Sequence, residues 1–151
     1  MNKNLWVTPL LVSLILTASC ATSPPSELTA SGKRDLSQVM FLRGQFAWWE
    51  ALPEYQLESV EMDLYRAKAE LTADGQPYEF KFADMSWSPG TNCGYLTQDQ
   101  DQDIISGQKS KANCSSMFEN FKFLPQESGT YYFYFDNRGE TPLIYVEPVK
   151  P

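Results

Sequence analysis

Residues Pro77 to Ala83 read PYEFKFA, and residues Gly129 to Asp136 read GTYYFYFD. In the first stretch Tyr78, Phe80 and Phe82 alternate with Glu79 and Lys81. A period of two places all three rings on one face of an extended strand and cannot make the stripe that a helix needs. The second stretch is aromatic from Tyr131 to Phe135 and so on both faces, which suits a strand lying between two layers or beside a binding surface. This alternation is the strongest constraint on the fold, because rings spaced by two can be buried together only in a sheet.

The rest of the chain repeats the pattern more weakly. Ser37 to Phe46 is rich in β-formers and lacks a helical stripe. In Asp63 to Leu71, Tyr65, Ala67, Ala69 and Leu71 fall on one face and Leu64, Arg66, Lys68 and Glu70 on the other. Ala, Glu and Lys are good helix formers, so a helix is the rival there; the period and the turn at Ala73 to Pro77 favour a strand. Met117 to Leu124 places Phe121 and Phe123 opposite Asn120 and Lys122. Leu143 to Val146 closes the set between prolines, which limit that strand's length. Short strands separated by Gly, Pro, Asp and Asn turns predict an all-β, immunoglobulin-like β-sandwich over residues 35–151. Ser88 to Ser116 is expected to be a long polar excursion.

The N-terminus reads as an address. Lys3 precedes an apolar run from Leu5 to Leu16, too short for a stable membrane span, so residues 1–19 are expected to be a cleaved leader. Leu16-Thr17-Ala18-Ser19-Cys20 resembles the bacterial lipobox, with Thr17 where leucine is usual. The resemblance implies a lipidated Cys20 as the new N-terminus, anchored by acyl chains at about 0.8 kcal/mol per buried CH₂. Ala21 follows in place of a retention-signal aspartate, which implies sorting to the outer membrane. Residues 20–34 are small, polar and proline-containing and read as a flexible tether.

Three cysteines leave an odd thiol unless Cys20 carries lipid. Cys93 and Cys114 then remain as a pair, and an exported, oxidising compartment favours their disulfide.

The net charge of −7 becomes −8 once Lys3, the one charge of the leader, is removed, so nucleic acid and anionic lipid surfaces are poor partners. There is no histidine, which excludes Ser-His-Asp and Cys-His nucleophile systems and removes the commonest metal ligand. Asp99 to Asp103 alternates carboxylates as a calcium loop does, but Ile104 and Ser110 stand where an EF-hand requires Gly and Glu. A solvated loop is expected, and no metal or cofactor. No pair of acidic residues sits in a recognisable glycosidase motif, and the expectation is a non-catalytic protein.

Three separated stretches resemble one family. VMFLRGQFAWWEAL resembles the V-x-L-x-G-x-F-N-x-W opening of glycogen- and starch-binding domains of the isoamylase N-terminal, early-set type. YEFKFADMSW resembles their Y-x-F-K-x-x-x-x-x-W hairpin, as found beside pullulanase and amylase modules. ENFKFLPQESGTYYFYFDNRGETPLIYV resembles their closing x-N-x-x-F…G-T-Y-x-F-x-x-D…P-x-L-x-V. Together the matches span Val39 to Val146 in the family order. The resemblance implies an early-set sandwich that holds α-glucan-like polysaccharide on Trp49 and Trp87, with Lys81 and Asn120 as hydrogen-bonding residues. Ala47 stands where the family usually has asparagine, and Trp48 adds a second indole.

The chemistry of those residue types agrees. An indole covers the apolar face of a hexose ring, while an amine and a carboxamide address its hydroxyl rim. Lys81 lies opposite Phe80 and Phe82 and is expected to project onto an open outer face; Asn120 lies opposite Phe121 and Phe123 by the same logic. Phe46 and Trp48 share parity, so Trp48 is expected to pack with Phe46 while Trp49 turns outward, unless the chain bends at Ala47. Core packing is the alternative for both Trp49 and Trp87, and a solvated face or turn capping is the alternative for Lys81 and Asn120. The rival to glycan binding is an envelope lipoprotein that presents an exposed aromatic patch to a protein partner.

Overall fold

The computed structural model describes residues 28–150. The leader, Cys20 and most of the tether lie outside them. Ten strands form two packed layers. One layer runs in the order β2 (Glu58–Glu61), β3 (Leu64–Leu71), β9 (Gly129–Asp136), β10 (Leu143–Pro148), β7 (Ser110–Asn113). The other is centred on β4 (Tyr78–Asp84). Along one edge β4 carries β1 (Met40–Gly44); along the other it carries β5 (Asn92–Tyr95) and then β8 (Phe121–Phe123), with β6 (Asp103–Ile104) parallel beside β8. A short β5–β7 pairing, Gly94 with Asn113 and Tyr95 with Ala112, joins the layers at one side.

The period-two aromatics make the core. Phe80 and Phe82 of β4 and Phe133 and Phe135 of β9 are all at most 1% exposed. They meet edge-on across the layers, Phe80 with Phe133 at 4.9 Å and Phe82 with Phe135 at 5.3 Å between ring centroids. T-shaped contacts let each positive ring edge meet a negative ring face, worth about 0.5–1.5 kcal/mol per pair beyond the burial itself. In β3 Tyr65, Ala67, Ala69 and Leu71 are buried in alternation, with Leu64 buried as well at the strand's start, and the segment is a strand despite its helix propensity. The small alanines leave room on the core face beside the β9 rings, with Ala67 paired opposite Phe133 on the neighbouring strand.

On the outer face of β9 the alternate rings are covered rather than open. The Arg66 guanidinium lies 4.1 Å from the Tyr132 ring, and Tyr134 stacks on Tyr145 at 4.5 Å and 8°. That face is closed by its own cations and neighbouring rings.

Three segments depart from expectation. Ser37 to Phe46 holds a strand only from Met40 to Gly44, flanked by 3₁₀ turns at Leu36–Gln38 and Gln45–Ala47. Of Met117 to Leu124 only Phe121–Phe123 is extended. Ser88 to Ser116 is not a loose excursion: it contains β5, β6, β7 and a one-turn helix, α1 (Gln98–Asp101). Asp101, expected in a solvated loop, is buried. Its carboxylate accepts from the Thr97 and Lys111 backbone N–H groups at 3.0 and 2.7 Å, which ties α1 to β7.

Candidate functional site

Each residue of the β4 layer has a core face and an outer face. Phe80, Phe82, Leu42, Cys93 and Phe121 belong to the core, so parity puts Lys81, Arg43, Asn92, Gly94 and Asn120 on the other side. In a simple sandwich that side would be open to water. Here the chain from Cys114 to Asn120 folds back across it.

Two features let the fold-back lie so close. The Cys93–Cys114 disulfide, S–S 2.01 Å, fixes one end of the segment to β5. Gly94 then provides the room: a Cβ built there would stand 1.6 Å from the Glu119 carbonyl oxygen and 2.5 Å from Ser116 Oγ. No side chain fits at that position. Ser116 is the point the fold-back is held by. Its backbone N–H donates to the Asn92 carbonyl at 3.1 Å, while its own carbonyl and hydroxyl oxygens accept from Lys81 Nζ at 3.1 and 3.0 Å.

Lys81 therefore does not project into solvent as expected. It is 2% exposed, roofed by the fold-back. Burial pushes its ammonium down from 10.5 to about 8, with Glu119 acting the other way. A buried cation with its donors aimed at two oxygens and one N–H unspent is a strong hydrogen-bond donor, provided a ligand reaches it.

The tryptophans are placed by backbone turns that strand parity could not reveal. After the Gln45–Ala47 turn, Trp48 and Trp49 both adopt left-handed backbone, with φ of 50° and 62°; Trp49 N–H bonds back to the Gly44 carbonyl at 2.9 Å. Ala47 points inward at 1% exposure. Trp48, expected against Phe46, is instead 87% exposed. Phe46 packs with Tyr55 and Phe133. The bend at Ala47 cancels the parity of an extended chain.

Trp87 is also left-handed, at φ 57°. Just upstream, Asp84 Oδ1 accepts from the backbone N–H groups of Ser86 at 3.1 Å and Ser88 at 2.9 Å, curling the chain as β4 ends. Burial disfavours charge on Asp84, but bonds from Ser88, Thr91 and Ser86 outweigh it and hold the carboxyl below its ordinary range. Left-handed backbone at a bulky aromatic costs on the order of 1–3 kcal/mol per residue and persists only where the surroundings enforce it. Both platform tryptophans carry that strain.

Arg43 supplies the enforcement, and nothing in the sequence marks it. From β1 it runs under both turns, donating from Nε to the Trp49 carbonyl at 2.7 Å. Its Nη1 donates to the carbonyls of Asp84 at 2.8 Å and Met85 at 3.3 Å. Its guanidinium carbon lies 3.6 Å from the Trp87 ring centroid. One buried fork thus locks two loops and covers one face of Trp87. The indoles stand 6.5 Å apart at 46°, an open angle rather than a stack.

The four residues carried over from the resemblance come together. Trp49, Trp87, Lys81 and Asn120 line one open cleft of about 470 Å³, joined by Asn92, Met117 and Phe118. Asn120 donates from Nδ2 to Glu79 Oε2 at 3.0 Å, which orients its amide and leaves Oδ1 free to accept. Met117 and Phe118 are 72% and 82% exposed on the fold-back, an apolar rim that the alternation of Met117 to Leu124 did not suggest. A larger cavity of about 750 Å³ lies along β6 and β8, walled by Ile104, Ile105, Phe123, Leu124 and Pro148. It has no indole and no buried cation, so the chemistry of a flat-ring, hydroxyl-reading site belongs to the tryptophan cleft.

The chain matches no protein-family profile and no curated protein. Among solved structures it is similar to one described as "Ligand induced structure of AmyP-SBD", an amylase starch-binding domain, with a TM-score of 0.56 and 18% identity. The similarity covers 92% of this chain and 96% of that one. At that identity the likeness speaks for the fold: the described residues form an all-β, early-set immunoglobulin-like sandwich.

Proposed function

We propose that this domain is a non-catalytic module that binds α-glucan-like polysaccharide. The observation that carries the reading is the convergence of two half-exposed indoles, a buried ammonium and an oriented carboxamide on one open cleft. Trp49 and Trp87 offer flat apolar faces to the C–H side of successive sugar rings, and their 46° angle suits a chain that curves rather than one that lies straight. Lys81 donates to ring hydroxyls and Asn120 accepts from them. The likeness to a starch-binding domain supports the same ligand class. An open cleft of this kind desolvates few groups, so binding is weak per site and depends on the polymer's many repeats.

Affinity electrophoresis in gels cast with glycogen or soluble starch tests it. The wild type is retarded, and a Trp49→Ala/Trp87→Ala double variant that still melts cooperatively runs free. Equal mobility of the two proteins in glycogen overturns the reading.

The resemblance at Cys20 adds the setting: a lipid anchor at the outer membrane that holds the module on a tether, any catalysis belonging to a partner. Metabolic labelling with palmitate, lost in Cys20→Ser, tests the anchor.

A second reading rests on Trp48. An indole 87% exposed, next in the chain to Trp49 of the cleft, suits a protein interface, with the domain serving as an envelope interaction module. Crosslinking and pull-down from membranes separate the two: a stoichiometric protein partner lost on Trp48→Ala favours this reading over glycan binding.

A further inference from the structure

Asn92 is the least explained residue of the cleft. It sits at the start of β5, paired with Ala83 on β4 and so diagonal to Lys81 on the same face. Its backbone carbonyl is used in holding Ser116. Its side chain is not used: the residue is 7% exposed, and Oδ1 is sealed from solvent with no hydrogen-bond partner. Apart from Tyr65 Oη, it is the one buried side-chain polar atom left so among the described residues. A stranded carbonyl of this kind is destabilising, and an apolar residue of the same shape would serve the sandwich better. The residue nonetheless lines the same cleft as Trp87 and Lys81.

We propose that Asn92 is a ligand-binding residue. On the glucan reading above, on which this inference rests, its amide turns about the soft Cβ–Cγ torsion and bonds a sugar hydroxyl at the inner end of the cleft. Lys81 and Asn92 are diagonal neighbours on one face of the layer and line the same cleft, so a single ligand group at its inner end can meet both side chains. A hydroxyl placed there donates to Asn92 Oδ1 and accepts from Lys81 Nζ at the same time. This complementary pair reads a free hydroxyl and discriminates against a deoxygenated or O-methylated ring, because a ligand lacking it leaves both buried groups unanswered. Asn92 is thereby a specificity-determining position that none of the three family-like stretches contains.

The test is Asn92→Leu, close to isosteric and apolar. The inference expects opposite signs in two measurements: a melting temperature equal to or above the wild type, and an affinity for glycogen weakened about tenfold or more. A lowered melting temperature with unchanged retardation assigns Asn92 to the scaffold and overturns the inference, as does retardation unchanged at equal stability. Should the variant fail to fold, the wild type decides: titration with maltoheptaose shifts the Asn92 side-chain NH₂ resonances in ¹H–¹⁵N spectra, and their constancy while the Trp49 and Trp87 indole signals move overturns it. A wild type that glycogen does not retard overturns the glucan reading and this inference together, whereas a retarded wild type with an equally retarded Asn92→Leu overturns this inference alone.

Discussion

A methyl group placed on Gly94 tests the idea that the Cys114 to Asn120 fold-back builds the cleft. The added Cβ would lie 1.6 Å from the Glu119 carbonyl oxygen and 2.7 Å from the Glu119 carbonyl carbon. Both atoms are backbone, so no side-chain rotation clears them. Restoring an ordinary contact of about 3.4 Å requires the Glu119 carbonyl to retreat by about 1.8 Å. Ser116, 2.5 Å from the same Cβ, has to move with it. Overpacking of this kind costs about 1–3 kcal/mol. Drawing Ser116 away from Lys81 leaves a buried ammonium short of two acceptors, a further loss of about 1–3 kcal/mol. A domain of about 120 residues unfolds with an entropy near 0.25 kcal/mol/K, so a loss of 2–6 kcal/mol lowers the melting temperature by roughly 8–24 °C. Gly139→Ala is the control: its nearest contact is 3.6 Å, its backbone is not left-handed, and it should melt within about 2 °C of the wild type. Calorimetry gives the melting temperatures, and glycogen-gel electrophoresis well below both melts shows whether the folded variant keeps its cleft. Gly94→Ala should melt far lower and lose retardation. A variant that melts within 2 °C of the wild type and is retarded equally refutes the reasoning, because then the fold-back does not depend on the bare glycine.

The remaining predictions concern the groups around that fold-back. Burial holds the Lys81 ammonium at about 8 in the folded chain against 10.5 when unfolded, so between those values the unfolded chain binds more protons and stability rises with pH. Unfolding free energies from urea titrations should climb between pH 8 and pH 10 by about 2 kcal/mol in the wild type, and Lys81→Met should abolish the climb; a flat wild-type profile contradicts the burial. Arg43→Met removes three hydrogen bonds to loop carbonyls and the cation under Trp87, costing about 2–4 kcal/mol. It should red-shift tryptophan emission as both turns relax, and an unshifted spectrum counts against Arg43 as their brace. Replacing Cys93 and Cys114 together by alanine opens a closed loop of about 20 residues, costing about 3 kcal/mol and roughly 12 °C. Trp48→Asn exchanges a left-handed indole for a residue that tolerates that backbone and should leave the melting temperature unchanged or a few degrees higher; a large fall would mean that the exposed ring packs against something.

Periodicity was informative where the backbone stays extended and silent where it turns. Strands β3, β4, β9 and β10 follow directly from alternating side chains, because a sheet has two faces and their burial differs. The same rule put Lys81 and Asn120 on the correct side of their layer, yet predicted open solvent above Lys81. Parity reports which face a residue is on and carries no information about what another segment lays over that face. The roof depends on the bare Gly94 and on a disulfide between cysteines 21 residues apart, a tertiary arrangement with no local signature. The tryptophans fail for a related reason. Trp48, Trp49 and Trp87 all stand in left-handed backbone, where adjacent side chains no longer point to opposite sides, and nothing about an indole announces such a conformation.

What the fold adds to the residue types is the reason this strain survives. Three left-handed tryptophans in a domain of this size together cost several kcal/mol, a sizeable share of ordinary folding stability. A chain shaped by stability alone would place Gly or Asn at those positions, an apolar residue at Asn92 and an uncharged one at Lys81. Instead most of the unfavourable choices collect around one cleft, while in the opposite layer, which covers its outer rings with a cation and a stacked ring, the exceptions are single: the left-handed Asp63 and the unpartnered Tyr65 Oη. Conflict between local preference and fold that is concentrated on one surface marks where something other than folding constrains the sequence. Arg43 belongs to the same pattern: a fully charged side chain is sunk beneath the cleft to hold two turns that would otherwise relax. Relieving Trp49, Trp87 or Asn92 one at a time, with the Arg43 brace left in place, should therefore stabilise the domain and weaken the cleft together, and the coupling of the two effects distinguishes a binding site from a merely imperfect corner of the fold.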